Sequence, residues 1–154
     1  KKQAVEAMGV PYTSMDKLFA RCDILSLHCP LNETTRYLIN STTIAQMKTG
    51  VMLINTSRGG LIDSKAIITG LKSGKIGYLG IDVYEQEADL FFQNLSDHIL
   101  QDDIIARLMT FPNVLITAHQ GFFTQEALDQ IARSTLDSIK QWVNGEILTN
   151  EIRQ

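Results

Sequence analysis

The stretch VMLINTSRGGLIDSKAIITGLKSGKIGYLGI, residues 51–81, holds a strand, a helix and a second strand in immediate succession. Val51 to Ile54 are consecutively apolar, a run of the length that suits a strand buried on both faces. DSKAIITGLKSG follows as a helix, capped by Asp63 or Ser64, whose short side-chain oxygens accept from the exposed N–H groups of a first turn. IGYLGIDVY then reads as a strand again. A strand, a crossover helix and a strand form the unit from which parallel sheets are built.

The same alternation continues on both sides. Upstream, residues 2–9 read as a short helix closed by Gly9, and residues 15–22 as another, with Met15, Leu18, Phe19 and Cys22 at helical spacing. DILSLHCP reads as a strand ended by Pro30, which has no N–H to give a ladder. NSTTIAQMKTG predicts a helix capped by Asn40 or Ser41 and stopped by Gly50. Downstream come a short helix near DDIIARLM and a strand at NVLITA. TQEALDQIARSTLDSIKQWVNG is a long amphipathic helix ending at Gly145, with Leu128, Ile131, Leu136, Ile139 and Val143 near one side. Four near-continuously apolar strands separated by helices predict an α/β, doubly wound fold with a parallel sheet covered on both faces.

The totals exclude several classes. The chain has 154 residues, 44% hydrophobic and 20% charged, enough for one domain with a core. A net charge of −3 argues against a nucleic-acid partner, which needs a basic face. No apolar run approaches the roughly 20 residues that cross a bilayer. Lys1-Lys2-Gln3 leads into an amphipathic segment, not an apolar signal core, so a cytoplasmic protein without membrane contact is expected. The first residue is not Met, which points to a fragment or a processed chain. Cys22 and Cys29 match neither a disulfide framework nor a zinc spacing and read as reduced, partly buried thiols.

In an open parallel sheet, ligands gather beyond the carboxyl ends of the strands. His28 follows the first strand; Thr56, Ser57 and Arg58 follow the second; Asp82, Glu85 and Glu87 follow the third; His119 follows the fourth. Taken singly, each has an ordinary reading: Arg58 as a surface cation, His28 and His119 as structural residues, the carboxylates at 85, 87 and 89 as a solvated loop. Together on one rim they supply a proton donor, a group to hold it charged and an anion clamp, a set suited to catalysis on an anionic substrate. His98 has no evident partner and reads as structural. The glycines at 74, 77 and 80 lack the G-x-G-x-x-G spacing and run into a strand instead of out of one, so they are assigned to a turn and a close-packed strand. No dinucleotide fingerprint stands elsewhere in the chain.

HCPLNETTRYLI, GVMLINTSRGGLID, GIDVYEQEADLFF and TAHQGFFT, in this order and spacing, resemble the D-isomer-specific 2-hydroxyacid dehydrogenases. Within that family the chain is most similar to the fermentative D-lactate dehydrogenases, because Ala88-Asp89-Leu90-Phe91-Phe92 follows Glu87 where many members carry proline. The resemblance implies NAD-dependent hydride transfer between a small 2-keto acid and its D-2-hydroxy acid, pyruvate and D-lactate above all, with no metal. It implies that Arg58 binds the substrate carboxylate and polarises the carbonyl, and that His119 is general acid and base. Glu87, five residues after the aspartate of DVY, would hydrogen-bond His119 and favour its charged form. Asp82 would meet the nicotinamide carboxamide, while His28, Cys29, Pro30, Thr56 and Ser57 would line the cofactor side.

The resemblance also sets expectations for organisation. Residues 1–121 correspond to the C-terminal part of a Rossmann NAD-binding domain. Residues 122–154 correspond to a C-terminal helix that in the family packs back on the substrate domain, here absent, so its apolar stripe would lack that partner. The substrate domain, the glycine-rich turn and the acidic ribose contact would precede Lys1, and the segment alone is expected to be inactive. A homodimer is usual in the family. The alternative from another class is a non-catalytic, NAD(H)-sensing interaction protein of corepressor type.

Overall fold

The computed structural model describes residues 2–87 and 102–152, so the expectations that fall on Ala88 to Phe92 and His98 lie outside the described residues. The chain divides into two compact units, one ending at His119 and one beginning at Gln120. The first holds strands β1 (Ile24–Leu27), β2 (Val51–Asn55), β3 (Ile76–Ile81) and β4 (Val114–Ile116), and helices α1 (Lys2–Ala7), α2 (Met15–Arg21), α3 (Ser41–Gln46), α4 (Ser64–Lys72) and α5 (Asp103–Leu108). The four strands form one sheet in the order β1-β2-β3-β4, every pair parallel. Their carboxyl ends therefore share one rim, as the alternation predicts.

Register decides which side chains meet. Leu25, Leu53, Leu79 and Val114 stand abreast, and Leu27, Asn55, Ile81 and Ile116 form the next row. These rows pack with Phe19 of α2, Ile44 of α3, Ile67 and Leu71 of α4, and Ile105 and Leu108 of α5 in one core. Burying each such side chain contributes on the order of 1.5–3 kcal/mol before the entropy of ordering it. The alternate positions face the other way, and there Ile24, Tyr78 and Leu115 remain 58–65% exposed. The expected cover on both faces is thus met on one side by α2–α5. An apolar run in a strand marks both faces alike and cannot say which helix reaches each.

The helix starts follow the predicted chemistry. Asn40 caps α3 through a reciprocal box: its side chain accepts from the Thr42 and Thr43 N–H groups, and its own N–H donates to Thr43 Oγ1. Asp63 caps α4 by accepting from Lys65 and Ala66. One expected stop differs: α3 ends at Gln46, and Gly50 is instead a left-handed residue (φ +81°) at the entrance to β2. Its N–H donates to the Gly74 and Lys75 carbonyls, so the turn belongs to sheet pairing and not to the helix. β3 and β4 also end earlier than their apolar runs, although Asp82 N–H still donates to Asn55 O and Thr117 N–H to Ile81 O. The glycine series has the expected structural use. A Cβ on Gly77 would lie 2.6 Å from Gly50 O, and the β2–β3 register slips beside it.

The second unit contains α6 (Gln125–Val143), whose first turn is capped by Thr124 accepting from the Ala127 N–H. No residue of α6 is buried; Leu128, Ile131, Leu136, Ile139 and Val143 are all exposed, with Trp142 at 73%.

Candidate active site

The site is assembled from the turns that leave each strand. Asn55, the last residue of β2, is wholly buried, and its amide organises the turn that follows. Nδ2 donates to the Arg58 carbonyl at 2.9 Å, and Oδ1 accepts from the Ser57 N–H at 3.1 Å. A buried amide is tolerated because both ends are satisfied. Ser57 Oγ then donates to the Cys29 carbonyl at 2.7 Å, tying this turn to the His28-Cys29-Pro30 loop after β1. That loop is itself braced: Thr35 Oγ1 donates to Pro30 O at 2.7 Å, and Ser26 Oγ and His28 Nε2 share a 2.8 Å hydrogen bond. Arg58 is exposed and extended, with Nη1 donating to the Ser57 carbonyl at 2.7 Å. One such bond leaves four of the guanidinium donors.

Gly59 has a steric necessity. A Cβ there would overlap the backbone of Tyr84 and Glu85, so the turn after Arg58 and the turn after β3 lie backbone against backbone. The second turn carries Glu87. Tyr84 N–H donates to Glu87 Oε2 at 3.1 Å, which aims the other oxygen, Oε1, at His119 Nδ1, 3.4 Å away. Tyr84 is only 4% exposed, and its hydroxyl donates to Asp102 Oδ2 at 2.8 Å, while Asp102 Oδ1 caps α5. Burial, and then the neighbouring Asp102, hold the Tyr84 phenol well above its usual range.

His119 is reached through strained backbone. Ala118 (φ +55°) and His119 (φ +54°) are both left-handed, a region that costs a side-chain-bearing residue roughly 1–2 kcal/mol. Such outliers persist where surrounding structure holds a functional group in place. Just before them, Thr117 Oγ1 donates to Asp82 Oδ1, joining the ends of β3 and β4.

The structure therefore brings Glu87 to His119, Ser57 to the Cys29 carbonyl, and the Arg58 turn to the Glu87 turn. Thr56 and Asp82 border an open groove on the exposed sheet face, with Ile54, Gly80 and Leu115 as its floor. Glu85, two residues before Glu87, points elsewhere: it accepts from Tyr37 Oη and lies 3.5 Å from Arg36 Nη2. Asn55, Thr117, Tyr84 and Tyr37 escaped the sequence reading. Only Asn55 left a signal there, as a polar residue closing an otherwise apolar strand.

Residues 1–121 match the family model described as D-isomer specific 2-hydroxyacid dehydrogenase, NAD binding domain. The chain belongs to the D-isomer-specific 2-hydroxyacid dehydrogenases. Among curated members of this family, the D-lactate dehydrogenase of Escherichia coli K12 is 49% identical over 145 residues, covering 94% of this chain and 44% of that one. A solved structure of the pyruvate reductase of Chlamydomonas reinhardtii superposes with a TM-score of 0.85 at 48% identity, covering 97% of this chain and 46% of the other. The D-lactate dehydrogenase of Aquifex aeolicus, solved with NAD and lactic acid, superposes with a TM-score of 0.79 at 35% identity, over 95% and 44%. The chain thus spans less than half the length of these dehydrogenases.

Proposed function

We propose that this chain supplies the acid–base pair, the anion clamp and the nicotinamide side of an NAD-dependent D-2-hydroxyacid dehydrogenase that reduces pyruvate to D-lactate. The observation that carries the reading is the Glu87–His119 pair, 3.4 Å apart, on a turn packed directly against the turn of Arg58.

The groove has features that suit a nicotinamide. Its floor is apolar, and Gly80 keeps it flat, since a Cβ there would meet only Ile54, at 3.9 Å. With Oδ1 engaged by Thr117, Asp82 offers Oδ2 to an amide N–H at the rim. The diphosphate-binding turn is not part of this sequence, so these residues account for the nicotinamide end. The bound dinucleotide supplies the hydride.

The residues divide the remaining work. The Arg58 guanidinium forks onto the substrate carboxylate, a match of planar geometry and permanent charge. His119, with Nδ1 turned to Glu87, presents Nε2 to the keto oxygen and delivers the proton there as the carbonyl carbon is reduced. Glu87, facing Nδ1, fixes the ring orientation. In oxidation the same nitrogen accepts the hydroxyl proton. His28, Cys29, Pro30, Thr56 and Ser57 line the cofactor side of the rim.

The family match ending at residue 121 and the exposed stripe of α6 support two further assignments: residues 1–121 as the C-terminal part of the NAD-binding domain, and 122–154 as a helix that returns to a substrate domain. No described helix is long and apolar enough to cross a membrane. A cytoplasmic homodimer completes the proposal, and it is read by fractionation and sedimentation.

The test is turnover of NADH and pyruvate by the complete gene product, with chiral analysis of the lactate formed. D-lactate from the native enzyme and its loss in His119→Ala are expected. No D-lactate, or an unchanged rate in His119→Ala, overturns the reading.

A further inference from the structure

Tyr37 touches both turns that carry the proposed catalytic groups. Its backbone N–H donates to Gly60 O at 2.9 Å, two residues beyond Arg58. Its phenol donates to Glu85 Oε1, two residues before Glu87. Arg36 completes the assembly: Nη2 donates to Tyr37 Oη at 3.2 Å and lies 3.5 Å from Glu85 Oε1, and the guanidinium sits 4.7 Å from the Tyr37 ring centroid.

The backbone supports a role beyond surface decoration. Tyr37 has φ +49°, a left-handed conformation that a bulky aromatic residue rarely adopts. It is held there from both sides. Asn40 Nδ2 donates to the Tyr37 carbonyl at 2.9 Å, and Asn40 is itself fixed as the cap of α3. An exposed Arg–Glu pair would by itself contribute little to stability. Its consequence here is positional, because one residue, through its backbone N–H and its phenol, bridges two loops that reduction requires at a set separation.

We propose that Tyr37, backed by Arg36, is a positioning residue that acts through Glu85 to set the distance between the Arg58 anion clamp and the Glu87–His119 pair. The inference rests on the dehydrogenase reading for its catalytic consequence and on geometry alone for the strut itself. A substrate held by its carboxylate at Arg58 must present its keto oxygen to His119. A strut joining Gly60 to Glu85 fixes that span without touching the substrate. Loss of the strut therefore lowers kcat more than it raises the KM for NADH, since the cofactor side of the rim is not bonded to Tyr37.

The experiment uses the complete gene product with Tyr37→Phe, Glu85→Ala and the double variant. Each single change is expected to lower kcat about tenfold, because misplacement of reacting groups by a fraction of an ångström is costly, with the KM for NADH within about twofold. The double variant should be no slower than the worse single one, since both remove the same link. Unchanged kcat in both singles, or a double variant slowed by the product of the two, overturns the proposal. A second measurement is independent of turnover: amide hydrogen exchange at Gly59–Leu61 and at Glu85–Glu87 in the same proteins. Faster exchange in both segments of Tyr37→Phe supports the strut even where the native protein reduces no pyruvate, an outcome that would sink the dehydrogenase reading instead. Exchange unchanged in both segments overturns the strut.

Discussion

Glu87 Oε1 lies 3.4 Å from His119 Nδ1, and the opposite oxygen of the same carboxylate is held by the Tyr84 N–H at 3.1 Å. The carboxylate is thus oriented by the turn it belongs to before it meets the imidazole. Glu87→Gln keeps the shape and the Tyr84 bond while removing the charge. We expect kcat for pyruvate reduction to fall by about a hundredfold, within the range that a positioned acid–base group supplies. Steady-state kinetics read this directly, and a loss under threefold would remove Glu87 from the mechanism.

Gly59 is where the Arg58 turn and the Glu87 turn meet. Gly59→Ala places a methyl group into the Tyr84–Glu85 backbone, which cannot swing aside as a side chain would. Destabilisation of about 1–3 kcal/mol, the usual cost of overpacking, is expected in denaturant unfolding. Gly80→Ala, which meets only Ile54 at 3.9 Å, should cost less in stability, while weakening NADH binding by filling the flat floor of the groove.

Ala118 makes an opposite prediction. At φ +55° a side chain is strained, so Ala118→Gly removes roughly 1–2 kcal/mol of strain and returns about half of that as unfolded-state entropy. A neutral to slightly stabilising effect is expected. Ala66→Gly within α4 should instead destabilise by about 1 kcal/mol. Equal losses at both positions would contradict the left-handed assignment.

Tyr84 predicts a pH dependence. Its phenol is raised in the folded state, first by burial and then by Asp102, above the ordinary value of 10.0 that the unfolded chain would show. Its contribution to stability is therefore complete below about pH 10 and is lost as pH rises toward the folded pKa, because only the unfolded form releases the proton there. Native stability should decline above about pH 10, and Tyr84→Phe should flatten that part of the curve. An identical slope in the variant would disprove the assignment.

Much of this protein is legible without coordinates. The period of apolar residues from Val51 to Ile81 determines strand, helix and strand, and short polar residues such as Asn40 and Asp63 mark the helix starts, because those signals are local. Parallel order follows from the alternation and places His28, Arg58, Asp82 and His119 beyond strand ends. Strand ends were less legible: β3 stops at Ile81 although Val83 and Tyr84 are equally buried, since an apolar residue in a packed turn looks like one in a ladder.

Tertiary structure alone separated Glu85 from Glu87 in physical terms. The family resemblance singles out Glu87 by its spacing from Asp82, but composition and periodicity treat the two carboxylates alike, and their physical difference lies in distant partners. Tyr37, from the loop after β1, takes one; His119, from the loop after β4, faces the other. The sequence by itself determined which elements form and that polar groups gather at one rim, because periodicity and capping act over a few residues. Which carboxylate meets the imidazole, and which sheet face α2–α5 cover, were decided only when loops far apart in the chain came together.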